Sequence, residues 1–370
     1  MRQEKYSSAA PPSLFPGDTG GGACYDPPMS IQLPPHVALA NLPTPVERLR
    51  IPPGFPDLPN VFVKRDDLTG AALSGNKVRK LEFCMAEAAS MGADTVITCG
   101  GVQSNHARAT AVAAARLGMK SILVLRGPEP AESDGNVLVE RLAGAQTRFI
   151  DPAEWPSVGR IMAEIEAELA AAGRRGYAIP EGASYPPGVF GYIKAAGEIA
   201  EAERALGLSF DAIVFAVGSG GTYAGLAYGA RVFGLRSRVV GVNVLDTPEQ
   251  FADRIAGISE DFVRTYEGRY RGEPWFAPIP ADAVEIAGGY DGPAYAVPTA
   301  EGLELIRTFA RSTGLFLDPA YTGKAMLGLA GEAAKGRWKR SDNVLFIHTG
   351  GIFSLFPMRN DLVPRRNNSP

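Results

Sequence analysis

From Val61 onward, short β-branched runs that close on glycine alternate with segments of helical period. NVFVKRDD, DTVITCGG, KSILVLRG, DAIVFAVGSGG, RVVGVNVL and NVLFIHTGG read as strands. ARATAVAAARLGM and TYAGLAYGARVFG, between them, read as amphipathic helices. The alternation restricts the chain to an α/β fold of parallel-rich sheets flanked by helices on both faces. Ligands in such folds sit beyond the carboxyl ends of strands, where glycine-rich turns lead into helices. Three turns qualify, at residues 99–106, 217–222 and 348–352, and no repeat of fixed period runs through the chain.

Composition removes several classes of function. A net charge of -3 with no basic stripe gives no footing for nucleic acid. Hydrophobic residues make up 45%, but no uninterrupted apolar run can cross a bilayer, so no membrane partner is expected. Cys24, Cys84 and Cys99 form no CxxC, and His36, His106 and His348 lie far apart. Neither a disulfide framework nor a metal site follows, and a reducing cytoplasm fits best. Residues 1–30, rich in Pro, Gly and Ser, read as a disordered extension, with Met29 as a possible second start.

Five stretches offer chemistry. In VGSGGTYAGL, the amides around Gly218, Ser219, Gly220, Gly221 and Thr222 converge on an anion at a helix N-terminus, with the Thr222 hydroxyl as a further donor. The spacing matches neither GxGxxG nor a P-loop, and a plain tight turn is the alternative. In CGGVQSNHARA, Ser104, Asn105 and His106 open a helix where backbone donors meet a carboxylate, or else Ser104 or Asn105 simply caps it. GGYDGPAYAVPT and LDPAYTGKAMLGL place Tyr290 and Tyr321 beside Gly and Pro, though buried core tyrosines are the default. In LSGNKVRKLEF, the apolar spacing gives a helix over Lys77–Ser90 that Ser74 or Asn76 can cap. Lys77 then sits at the positive end of a helix, a poor place for a cation, and by spacing alone it reads as a solvated lysine like Lys80. Neither GxSxG nor HExxH occurs.

KRDDLTGAALSGNKVRKLEF followed by TCGGVQSNHARATA, the glycine turn and the two tyrosine stretches, in this order between Thr44 and Phe356, resemble the 1-aminocyclopropane-1-carboxylate deaminase/D-cysteine desulfhydrase family. The resemblance implies a pyridoxal 5'-phosphate (PLP) enzyme of the two-domain, tryptophan-synthase-β type II fold, typically a homodimer. By the same resemblance, Lys77 forms the covalent link to PLP, and residues 218–222 hold its phosphate. Asn105 meets the ring hydroxyl, Asn76 orients the ring, and Ser104 with the backbone of Asn105 and His106 takes the substrate carboxylate. Tyr290 and Tyr321 are the two active-site tyrosines. A large domain is expected from residues 31–78 and 195–370, and a small one from 79–194.

Two departures resemble the desulfhydrase branch: Thr322 stands where the deaminase usually has glutamate beside the ring nitrogen, and His106 where it commonly has glutamine. A hydroxyl can hydrogen-bond that nitrogen but not balance a charge on it, which makes a weaker electron sink. The implied reaction is β-elimination from a small amino acid, foremost D-cysteine to pyruvate, hydrogen sulfide and ammonia, with Lys77 as base. Alternatives are deamination of 1-aminocyclopropane-1-carboxylate to 2-oxobutanoate, a lyase for another β-substituted amino acid such as cysteate, and a non-catalytic binding protein.

Overall fold

The computed structural model describes residues 31–363, so the expected extension at residues 1–30 and Met29 lie outside the described residues. Ten strands form two sheets among those residues. They are β1 (Val46–Arg48), β2 (Asn60–Lys64), β3 (Thr95–Gly101), β4 (Lys120–Arg126), β5 (Gln146–Ile150), β6 (Gly176–Ile179), β7 (Ala212–Val217), β8 (Arg238–Asn243), β9 (Glu285–Ala287) and β10 (Asn343–Ile347). The larger sheet has the order β1-β2-β10-β7-β8-β9 and the smaller β5-β4-β3-β6. Every pairing is parallel except β1 with β2.

Both faces of the larger sheet are buried, because successive strand residues point to opposite sides. Ile213, Phe215 and Val217 of β7 enter one core and Ala212, Val214 and Ala216 the other. Phe215 is fully buried, which is worth about 2 kcal/mol on its own. The small sheet likewise sends Val96 of β3 to one core and Ile97 and Cys99 to another.

Three helices carry the candidate residues. The first, α1, spans Lys77–Ser90, the range expected from its apolar spacing. Its Val78, Leu81 and Met85 pack with Val96 of the small sheet. A second, α2, is Asn105–Arg116 and follows β3; a third, α3, is Gly221–Phe233 and follows β7. Packed along α3 is a long helix, Pro186–Leu206. The glycine-rich turns after β3, β7 and β10 all leave the carboxyl ends of their strands, as the sequence pattern led us to expect. Among the described residues, no helix is long and apolar enough to cross a membrane.

A buried ionic network holds the start of α1. Arg79 donates to Asp66 at 2.7 and 2.9 Å and to Glu198 at 2.7 and 2.9 Å, while Lys64 donates to Glu198 at 2.6 Å. All four side chains are at most 1% exposed. Tyr192 adds a hydrogen bond of 2.6 Å to Asp66. Burial alone would raise both carboxyls, but the adjoining Arg79 and Lys64 hold Asp66 and Glu198 below their ordinary values.

Candidate active site

Asn76 occupies the N-cap position of α1 without capping it. Its side chain instead accepts from Lys77 Nζ at 3.1 Å and donates to Thr222 Oγ1 at 3.1 Å. Lys77 is thereby joined through one amide to the first turn of α3. The side chain is half-buried, and loss of water around the amine lowers it to about 8, against the opposing pull of Glu181 and Asp318. Its Nζ lies 5.9 Å from the centre of the Tyr321 ring.

The two expected tyrosines do not come together. Tyr321 hydrogen-bonds Tyr295, the phenol oxygens being 2.6 Å apart, and the Tyr295 ring packs against Gly101 at the end of β3. Tyr290, the expected partner, instead accepts from Lys335 at 3.0 Å, donates to Glu332 at 2.8 Å and packs against Gly331. The expectation for Tyr290 is therefore corrected to Tyr295, five residues on in the same GGYDGPAYAVPT stretch. The two are alike in sequence, and only the path of the loop separates them. Burial raises Tyr295 to about 12 and lifts Tyr321 well above its ordinary value, so both phenols keep their protons at neutral pH.

At the glycine turn, Gly220 has φ +91°, open to glycine, and Gly221 begins α3. Gly221 N donates to Ser184 Oγ at 3.1 Å, and Ser184 Oγ lies 2.7 Å from Ser219 Oγ. Beyond Gly221 the first amides of α3, beginning with Thr222, have no acceptor within the helix. Lys80, read from spacing as a solvated lysine, is fully buried here: its Nζ donates to Gly182 O at 2.5 Å and Ser184 Oγ at 2.9 Å. Burial, helped by nearby Lys77, pushes the Lys80 amine well below its ordinary value. Its i, i+3 relation to Lys77, on one helix face, was the signal available in the sequence.

Ser104 caps α2, its Oγ accepting from Ala107 N at 3.2 Å, and the amides of Asn105 and His106 have no acceptor inside the helix. Asn105 Oδ1 accepts from Asn136 at 3.1 Å. The His106 ring is buried and directed away into β3, where its Nε2 meets Thr98 Oγ1 at 2.8 Å. Because Thr98 donates its proton to Ile179 O, Nε2 carries the imidazole proton. Burial and the neighbouring Lys77 and Lys80 hold the ring neutral, well below its ordinary value.

Thr322 is fully buried at the head of the helix Thr322–Ala334. Its hydroxyl donates to Asp318 Oδ1 and accepts from Asp318 N, both at 2.7 Å. The hydroxyl proton is thus already engaged by Asp318. Asp318, four residues upstream, went unnoticed in the sequence. Across the turn after β10, Asn76 N donates to Thr349 O at 3.1 Å and Gly351 packs on Asp318, which brings the Lys77 and Thr322 corners to one turn.

Residues 37–350 match the family described as "Pyridoxal-phosphate dependent enzyme". The chain is 43% identical over 336 residues, 88% of its length and 80% of the relative's, to the bifunctional D-cysteine desulfhydrase/1-aminocyclopropane-1-carboxylate deaminase, mitochondrial, of Arabidopsis thaliana. This chain belongs to the pyridoxal-phosphate-dependent enzymes. A putative 1-aminocyclopropane-1-carboxylate deaminase of Thermotoga maritima is 42% identical, over 89% of this chain and all of that one. Among solved structures, an ACC deaminase homologue superposes with TM-score 0.78 at 38% identity, covering 89% of this chain and 95% of the other. O-ureido-L-serine synthase, at 18% identity and TM-score 0.63, shares the fold.

PLP is thus the cofactor of this enzyme, as the motifs implied, and the glycine turn has the shape for its phosphate. A Cβ at Gly221 would come within 2.7 Å of Lys80 Nζ and 2.9 Å of Ser184 Cα, so only a bare backbone leaves this cradle open. Free amides, a buried amine and two serine hydroxyls around one point are a donor set for a dianion.

Proposed function

We propose that the chain is a PLP-dependent lyase that performs β-elimination on a small amino acid, D-cysteine first. The observation that carries this reading is the Lys77 amine, lowered to about 8 and 5.9 Å from the centre of the Tyr321 ring, whose phenol stays protonated. That pairs a base for the α-proton with an acid for the leaving group.

In this reading Lys77 is the covalent anchor of the cofactor, residues 218–222 and Lys80 hold its phosphate, and Asn105 donates to its ring hydroxyl. Bound PLP supplies an electron-withdrawing ring that makes the α-proton of an attached amino acid labile. The Ser104 hydroxyl and the amides of Asn105 and His106 bind the substrate carboxylate and fix the α-carbon. Lys77, once released, takes the α-proton. The Tyr321–Tyr295 pair delivers a proton to the departing sulfur, and hydrolysis of the remainder gives pyruvate and ammonia. The ranges of the two sheets support a large domain from residues 31–78 and 195–363 and a small one from 79–194. A homodimer and a cytoplasmic setting belong to the same proposal, the latter supported by the buried, unpaired Cys84 and Cys99.

The second reading is deamination of 1-aminocyclopropane-1-carboxylate, an activity carried in the names of relatives 43% and 42% identical to this chain. Purified holoenzyme given each substrate in turn separates the two. We expect pyruvate and sulfide from D-cysteine, abolished by Lys77→Ala. Formation of 2-oxobutanoate from the cyclopropane with no sulfide from D-cysteine would reverse the order.

A further inference from the structure

We propose that Arg126 is a specificity residue of the Lys77 cleft and binds an anionic group at the end of the substrate's side chain. The proposal deepens the β-elimination reading and rests on it. Arg126 ends β4, and its register partner is Gly101 at the end of β3. On the side where Ile97 and Cys99 of β3 share a core with Val124 of β4, the next positions along the strands are Gly101 and Arg126. The Tyr295 ring covers this end of the sheet, 3.0 Å from where a Cβ at Gly101 would stand. The guanidinium carbon lies over that ring, 5.9 Å from its centre, and over the Trp155 ring at 4.6 Å. Tyr295 in turn bonds Tyr321, which Lys77 approaches. Arg126 thus stands beside the phenol pair that serves the departing substituent.

Two observations leave that guanidinium with an anion to bind. It is half-buried, yet among the described residues it makes no hydrogen bond and no ion pair, whereas buried Arg79 and Arg108 spend their donors on carboxylates and carbonyls. Ring contacts engage the face of the fork and leave its N–H edge, the edge that meets an oxyanion two bonds at a time. The second observation is Glu181, exposed in the turn after β6. Loss of surrounding water raises its carboxyl, and Arg126, then Arg254 and Lys77, pull it back. A group open to solvent yet short of water lies in a cleft, and Arg126 and Lys77 both act on it there. The raised carboxyl also eases its repulsion of an incoming anion. Held by two rings, Arg126 could instead serve only to fix Trp155, a role that would not tell a charged ligand from a neutral one.

Holoenzyme given D-serine O-sulfate beside D-cysteine separates the two roles. In the sulfate ester the α-proton goes to Lys77, the Cβ–O bond breaks with its electron pair leaving on sulfate, and water completes pyruvate and ammonia. The ratio of kcat/KM for the ester to that for D-cysteine is expected to fall roughly 10- to 100-fold in Arg126→Met and to recover in Arg126→Lys. A general loss of fold or chemistry cancels from this ratio, and an unchanged ratio overturns the proposal. Calorimetry of holoenzyme with 3-sulfopropanoate, which lacks the amino group and cannot react, reads the same contact without turnover. Wild type is expected to bind it roughly 10-fold or more tighter than butanoate, and Arg126→Met to lose that preference. Equal binding of the two acids by wild type overturns the proposal and leaves the lyase reading standing. Turnover of neither amino acid by wild type overturns the lyase reading, and the calorimetry still decides whether Arg126 takes the anion.

Discussion

The phenol oxygens of Tyr295 and Tyr321 lie 2.6 Å apart, and the pair bridges the end of the small sheet at Gly101 to the neighbourhood of Lys77. Removing the Tyr295 hydroxyl deprives Tyr321 of its partner without emptying the space. Tyr295→Phe should lower kcat by roughly 10² to 10⁴-fold, the usual weight of a positioned acid. Tyr290→Phe, on the far side of the loop, should leave kcat within a few-fold. Steady-state kinetics of the two variants on the same substrate makes the comparison, and equal losses would remove Tyr295 from the mechanism.

Lys77 predicts a pH dependence of definite sign. An amine whose value is lowered to about 8 is free above that pH and protonated below it. The rate at which PLP attaches to apoprotein should therefore rise with pH and level off above 8. An ordinary lysine would still be gaining free amine near its usual value of about 10.4. Stopped-flow absorbance across pH 6 to 10 gives the profile, and a rate still climbing at the top would mean that the amine is not desolvated.

Lys80 predicts a cofactor effect confined to the phosphate. Its amine is held low by burial, so an adjoining anion restores its charge, and binding of PLP should take up protons near neutral pH. A charged hydrogen bond contributes about 1.5–3 kcal/mol, so Lys80→Met should weaken PLP binding by roughly 10- to 100-fold. Pyridoxal, which lacks the phosphate, should bind both proteins alike. Calorimetry in buffers of different ionisation heat reads the affinity and the proton count together.

Arg79 predicts a stability effect. Removing it leaves Asp66 and Glu198 buried with only Lys64 as a cation, and breaking such a network costs roughly 3–5 kcal/mol. Arg79→Met should show that loss in urea unfolding. A change below about 1 kcal/mol would mean that the neighbouring carboxyls adapt by protonation.

The strands that carry the site were legible because they are fully buried and β-branched: β3 and β7 show no exposed residue, and their glycine ends mark the turns. The strands that escaped reading lie mostly at sheet edges or are short. β5 alternates exposed Gln146 and Arg148 with half-covered residues, and β9 has three residues. Lys77 could be picked out because its motif resembles a family, not because its spacing is special. Asp318 and Lys80 were missed for a common reason. Each acts through a partner distant in sequence or through a turn, as in the 102-residue separation of Lys80 from Gly182, and local period does not encode such pairs. Tyr290 was chosen over Tyr295 because composition cannot say which of two tyrosines in one loop turns inward.

The ionic network beneath α1 has one more consequence. Asp66 and Glu198 are held below their ordinary values, so the stability they contribute is present above about pH 4, where an unfolded chain would ionise them, and is lost as acid reaches their folded values. Arg79, which they grip, is two residues from Lys77 on the same helical turn. Acidification therefore acts in two separate steps. The amine is protonated as pH falls through about 8 while the fold persists. Its seat dissolves only when acid reaches the folded values of Asp66 and Glu198. Between the two lies a pH interval in which an intact protein carries a protonated Lys77.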